Sequence, residues 1–204
     1  MIWKQGSQHG NRITSERGCK LNADASRFFV ITGGPGSGKT TLIEALKNLG
    51  YATTVEAGRA IIQDQVAIGG QALPWRDPKL FAEMMLSWDV RSYRTAQQSA
   101  GPVFFDRGVL DVLGYLRLVG VPVSASMEAA AKEFPYNSRV FVAPPWQEIF
   151  RQDQERKQDF AEAVRTYEAM SIYTEFGYEL VEIPRVSVED RVRFVLDAAG
   201  LSRQ

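Results

Sequence analysis

The chain has 204 residues, 45% of them hydrophobic, enough to build the core of one α/β domain. Lys and Arg number 24 and Asp and Glu number 24, so the formal net charge is zero and no global basic bias points to nucleic acid or an anionic membrane. A single cysteine, Cys19, excludes an intrachain disulfide and fits a cytoplasmic protein, and a single histidine, His9, removes the material for a His/Cys metal centre.

Residues 1–26 are polar, contain no apolar run of signal-peptide length, and read as an N-terminal extension to a domain spanning 27–204. Phe28–Thr32 is a short apolar run that predicts a buried strand. Helical spacing covers Thr40–Leu49, stopped by Gly50, and the β-branched Ala52–Val55 predicts a second strand. Ala57–Ile68 reads as a helix ended by Gly69-Gly70, and Pro78–Gln98 as a long amphipathic helix with proline in its first turn. Val103–Phe105 is the next buried strand, followed by helices at Val109–Val119 and about Ser124–Phe134. Arg139–Val142 is a strand, about Phe160–Phe176 a helix and Tyr178–Ile183 the last strand; Ser187 then opens the final helix, with Asp190 as its cap partner. Strands alternating with helices predict a parallel sheet covered on both faces.

Between the first strand and its helix, Gly33-Gly34-Pro35-Gly36-Ser37-Gly38-Lys39-Thr40 matches G-x-x-x-x-G-K-[ST] in full. Glycines let backbone N–H groups turn inward around phosphate oxygens, and the following helix points its positive end at the same place. Residues 33–41 are the expected triphosphate cradle. Lys39 is expected to reach the β- and γ-phosphates, and Thr40 to ligate Mg²⁺.

A second carboxylate is needed at the tip of a neighbouring strand to organise the metal, and Asp106 stands there after Val103–Phe105. A hydrolytic motor carries another acid directly afterwards to activate water. Here the next residue is Arg107, a fork of donors suited to an anionic oxygen. Glu56, following the second strand, also falls at the sheet's carboxyl edge, where it can take a proton from a substrate hydroxyl; Arg59 lies one helical turn on. Trp75, Trp88 and Trp146 read as core rather than as pocket walls.

The stretches FFVITGGPGSGKTTL, VEAGRAII, VFFDRG and the region from PPWQEIFRQDQERKQDF to GYELVEIPRVSVEDRVRFVL resemble the bacterial predicted ATPase group of AAA-type P-loop proteins. That group is related to the ribosylnicotinamide kinase domain of the nicotinamide-nucleotide regulator, and the resemblance spans about Phe28–Leu201. The Asp106-Arg107 pair also resembles thymidylate kinases, and the acid at Glu56 the base of deoxynucleoside kinases. The resemblance implies a P-loop NTPase three-layer sandwich of nucleotide-kinase type, with a five-stranded parallel sheet and helices on both faces. It further implies a basic lid after the fourth strand, with Arg151 and Arg156 placed on the transferring phosphoryl group.

The expected activity is an ATP- and Mg²⁺-dependent phosphotransferase acting on a hydroxyl-bearing small molecule, a nucleoside or nucleotide among the candidates. Lys39, Glu56, Asp106, Arg107, Arg151 and Arg156 are its catalytic set, and Thr40 and Asp106 hold the metal. The alternative is a nucleotide-binding regulatory switch with slow ATPase activity that works through a protein partner. Neither reading calls for nucleic acid or membrane.

Overall fold

The first strand, β1 (Phe28–Gly33), is buried along its whole length. Successive side chains of a strand point to opposite faces. Phe28 and Val30 accordingly enter one core, and Phe29 and Ile31 a second. The same division runs through β3 (Val103–Asp106), where Val103 and Phe105 join the first core and Phe104 the second. It recurs in β4 (Arg139–Ala143), with Val140 and Val142 against Phe141 and Ala143. Strands apolar at every position need cover on both sides, which the helices supply.

The computed structural model describes residues 25–150 and 159–201. With β2 (Ala52–Thr53) and β5 (Glu179–Glu182) the strands form one sheet in the order β2-β3-β1-β4-β5, every pairing parallel. One face carries α1 (Lys39–Asn48) and α8 (Val188–Ala198), through Leu42, Ile43 and Leu46 and through Val192 and Val195. The other carries α3 (Pro78–Ala96), α4 (Val109–Leu118) and α5 (Ala125–Glu133), packed around an aromatic nucleus of Phe28, Tyr93, Phe105 and Tyr136. A smaller cluster joins α2 (Ala57–Ile68) to α3 through Ala57, Ile61 and Phe81. The chain leaves β1 toward one edge of the sheet and leaves β3 toward the other. The carboxyl ends of these two adjacent strands therefore border a crevice, where open α/β sheets bind ligands.

The five-stranded parallel sheet is the one expected, and most element ends agree within two residues. Two elements differ. The second strand stops at Thr53 because Thr54, whose N–H still donates to Phe104 O at 3.0 Å, offers its side-chain Oγ1 rather than its carbonyl to Asp106 N, at 3.1 Å. The expected helix over Phe160–Phe176 is two, α6 (Phe160–Ala169) and α7 (Ile172–Glu175). Met170, Ile172 and Tyr173 are all buried, and one continuous helical stripe does not bury three residues so spaced; the break at Ser171 re-aims the chain. No helix among the described residues is long and apolar enough to cross a membrane.

Candidate active site

The loop from β1 to α1 is built by close approach. A Cβ on Gly33 would lie 2.3 Å from the carbonyl oxygen of Ala143 in β4, and one on Gly34 would lie 2.2 Å from that of Ala163 in α6. Gly36 (φ 69°) and Gly38 (φ 77°) take the left-handed conformation that L side chains resist. Lys39 folds its ammonium back into the loop and donates to Gly33 O at 3.0 Å, Gly34 O at 2.6 Å and Ser37 Oγ at 3.3 Å. Ser37 Oγ itself donates to Gly34 O at 2.8 Å. Thr40 and Thr41 are exposed in the first turn of α1.

Arg191 braces the loop from α8. Its Nη2 donates to Ser37 O at 3.1 Å and its Nη1 to Gly38 O at 3.5 Å, and its guanidinium lies 5.9 Å from the Trp146 ring centre. The residue is buried, which lowers its pKa from the usual arginine value. Sequence reasoning passed over Arg191, because an arginine beside Val192 on an amphipathic helix carries no distinguishing pattern.

Asp106 closes β3 in register with Ile31, level with the strand that feeds the loop, and is buried. Arg107 follows with φ 69°, the one non-glycine positive φ among the described residues. Its Nε donates to Glu56 Oε1 at 3.1 Å and its Nη1 to Asp111 Oδ1 at 2.9 Å. Burial works to lower the Arg107 pKa, but Glu56, Asp111 and Asp106 outweigh it and hold the guanidinium charged beyond its ordinary range. Glu56 is the N-cap residue of α2, yet its side chain makes no capping bond; it turns to Arg107 instead. Asp111 also accepts from Thr32 Oγ1 at 2.5 Å, Tyr173 OH at 2.7 Å and Gly108 N at 3.0 Å, four donors in all with Arg107.

These groups face a cavity of about 1080 Å³ that reaches Pro35 of the loop at one end. Glu56, Arg107 and Asp111 stand on its wall, and Asp89 of α3 joins them. Burial, followed by the nearby Asp111, raises the Asp89 carboxyl well above the usual carboxylate range, against the pull of Arg107. Trp75, expected in the core, is 61% exposed and lines the cavity because it sits in the loop before α3; Trp88 packs on the Ile61–Phe81 cluster, and Trp146 underlies Arg191. Lys39, Thr40, Glu56, Asp106 and Arg107 thus gather at the carboxyl edge of β1, β2 and β3. Arg151 and Arg156 lie outside the described residues.

The donor set suits a hard divalent cation. A threonine hydroxyl opening α1 and a carboxylate ending the adjacent strand are the oxygen ligands that Mg²⁺ accepts beside phosphate, and the loop offers backbone N–H groups to the phosphates themselves. The residues present fit the pair of ligands that the motif implies.

Comparison with solved structures returns the same sheet. Deoxyadenosine kinase from M. mycoides is 15% identical over 85% of this chain and 98% of that one, with a TM-score of 0.54. NadR protein, solved in complex with NR, is 18% identical with a TM-score of 0.63; the match covers 92% of this chain and 55% of NadR, so the chain spans about half of that protein. Thymidylate kinase from Ehrlichia chaffeensis is 17% identical over 86% of this chain and 99% of that one, with a TM-score of 0.54. At these identities the likeness is one of fold. No curated protein matches the chain in sequence. A family model for the AAA domain matches residues 28–191, most of the chain. The protein belongs to the AAA domain family and carries its P-loop on a nucleotide-kinase fold.

Proposed function

We propose that the protein is an ATP- and Mg²⁺-dependent phosphotransferase acting on a hydroxyl of a small molecule of nucleoside size. The observation that carries this reading is the position of Glu56. It stands at the head of α2 without capping it, is held by Arg107, and faces a cavity that begins at the phosphate loop. A carboxylate so placed serves a general base, and the cavity gives an acceptor room beside the γ-phosphate.

In this reading residues 33–41 hold the triphosphate, and Lys39 exchanges its loop carbonyls for phosphate oxygens. Thr40 and Asp106 would hold Mg²⁺, which would supply charge neutralisation to the triphosphate. Glu56 takes the proton of the acceptor hydroxyl as its oxygen attacks the γ-phosphorus. The bond from that phosphorus to the β,γ-bridging oxygen breaks, and ADP leaves with the bridging electron pair. Arg107 orients Glu56, and the expected lid arginines, Arg151 and Arg156, belong to the same step. The NR complex of NadR and the kinase neighbours support an acceptor of this size.

The test is a screen of nucleosides, nucleotides and other small hydroxyl compounds for acceptor-dependent ADP release. Saturable release with one class supports the proposal. ATP binding with slow hydrolysis that no acceptor accelerates would turn the reading to a regulatory switch.

A further inference from the structure

Helix α3 presents Phe81, Met85 and Asp89 at four-residue intervals, so they form one stripe along its face, and all three line the cavity. The third member is a carboxyl where the stripe's spacing calls for another apolar side chain. Asp89 is 7% exposed, and no hydrogen bond from a described residue reaches its carboxyl. A buried carboxyl without a protein donor is costly to keep in a core, so it needs a use.

Beside Phe81, Tyr115 stands one turn beyond Asp111 on α4. Its ring packs edge-to-face on Phe81, centroids 5.5 Å apart, and its hydroxyl is buried with no hydrogen-bond partner among the described residues. The Tyr115 hydroxyl is closed off from the cavity, so Asp89 is the group that interrupts the stretch of wall made by Ile62, Phe81, Met85 and Val112. Flat apolar walls with a few polar groups describe a site for a ring with a polar edge.

The charge of the wall narrows the ligand further. Four carboxylates besides Asp89 line the cavity, from Glu56, Asp111, Asp159 and Glu162, against two guanidinium groups, Arg107 and Arg165. Arg107 is bound by Glu56 and Asp111, and Arg165 by Glu162. A phosphate on the acceptor would enter among excess carboxylates, with both described arginines already paired.

We propose that Asp89 is the specificity-determining residue of the acceptor site, and that it selects a ring compound without a phosphate, neutral or cationic, whose polar edge gives N–H donors to the Asp89 carboxyl. The proposal rests on the phosphotransferase reading only for what happens after binding.

The experiment uses the full chain and five probes: adenosine, cytidine and nicotinamide riboside, and the 5′-monophosphates of the first two. Calorimetric binding is measured beside acceptor-dependent ADP release. At least one unphosphorylated probe should bind roughly 10²-fold tighter than any monophosphate, by like-charge exclusion. Asp89→Leu restores the apolar stripe, so its melting temperature should hold or rise while the affinity for that probe falls at least about tenfold and ATP affinity stays. Tyr115→Phe removes a hydroxyl sealed from the cavity, so it should keep its fold and leave the affinity for the same probe unchanged. A merely structural role for Asp89 would instead lower the melting temperature and leave probe affinity alone. Binding that depends on Asp89 without ADP release upholds this proposal and defeats the phosphotransferase reading. Tighter binding of monophosphates, unchanged probe affinity in Asp89→Leu, or no binding by any probe overturns it.

Discussion

Arg107 donates from Nε to Glu56 Oε1 at 3.1 Å, and this contact ties the residue after β3 to the residue that opens α2. It separates the chemistry from its support. Glu56→Gln keeps the shape and removes the base. Phosphoryl transfer should fall by about 10² to 10⁴, while ATP affinity measured by calorimetry stays near the parent value. Arg107→Lys keeps a charge but loses the fork that spans Glu56 and Asp111. As a positioning change it should lower kcat more than it raises the acceptor KM. A Glu56→Gln protein with full acceptor-dependent activity would remove Glu56 from the chemistry.

Asp106→Asn tests the metal role. The substitution preserves size and the backbone bond from Asp106 N to Thr54 Oγ1. Turnover with Mg²⁺ should drop steeply, whereas metal-free nucleotide binding should change little. Equal losses with and without Mg²⁺ would mark Asp106 as a structural acid only.

Asp111 is where the fold and the site share one side chain. Its carboxylate accepts from Arg107, Thr32, Gly108 and Tyr173, joining the residue after β3, the carboxyl end of β1, the start of α4 and α7. Asp111→Asn replaces one acceptor by a donor amid donors and breaks the buried ion pair. Chemical denaturation should show a loss of about 3 to 5 kcal/mol. A loss below about 1 kcal/mol would mean that the network relaxes around the amide.

Much of this arrangement is legible in residue order. The glycine pattern before Lys39, the apolar runs at Phe28–Thr32 and Val103–Phe105, and the acids after two strands all depend on short-range rules, and the sheet follows them. Asp111 was hidden because an acid in the first turn of a helix already has an ordinary use there, and it performs that use too, through Gly108 N. Asp89 was hidden because a carboxylate on an amphipathic helix reads as solvated; its burial on the cavity wall depends on tertiary packing. Arg191 reaches the loop from more than 150 positions away, a relation that no local pattern encodes. The misplaced helix over Phe160–Phe176 has the same origin, since the break at Ser171 serves the long-range bond from Tyr173 to Asp111.

The brace from Arg191 predicts a selective loss. Arg191→Met keeps the stem against Trp146 and removes the donors to Ser37 O and Gly38 O. Two loop carbonyls then lack these partners, so stability should fall by roughly 1 to 3 kcal/mol. The loop should also hold its geometry less well, raising the Kd for ATP about tenfold with the acceptor KM unchanged. Unaltered ATP affinity in a folded Arg191→Met protein would show that the loop keeps its shape unaided.

The buried tyrosines set an alkaline limit. Tyr173 and Tyr136 are both pushed well above the ordinary tyrosine range, first by burial and then by the charges of Asp111 and Asp89 respectively. Tyr115 is pushed up to about 12, again chiefly by burial. In the unfolded chain each would ionise near pH 10. The native state holds these protons longer, so its stability is undiminished below about pH 10 and falls as pH rises beyond it, as the unfolded state alone releases protons. In an alkaline titration the tyrosinate absorbance of these residues should therefore appear together with the loss of near-ultraviolet circular dichroism, in one cooperative step. Tyr173→Phe removes one such proton and should flatten the decline of stability above about pH 10, while costing about 1 kcal/mol at neutral pH through the donor lost by Asp111. Exposed tyrosines titrate gradually and without a structural signal; if all tyrosinate absorbance rose that way, with the fold intact, the buried hydroxyls would not be sealed from solvent as the bond from Tyr173 to Asp111 requires.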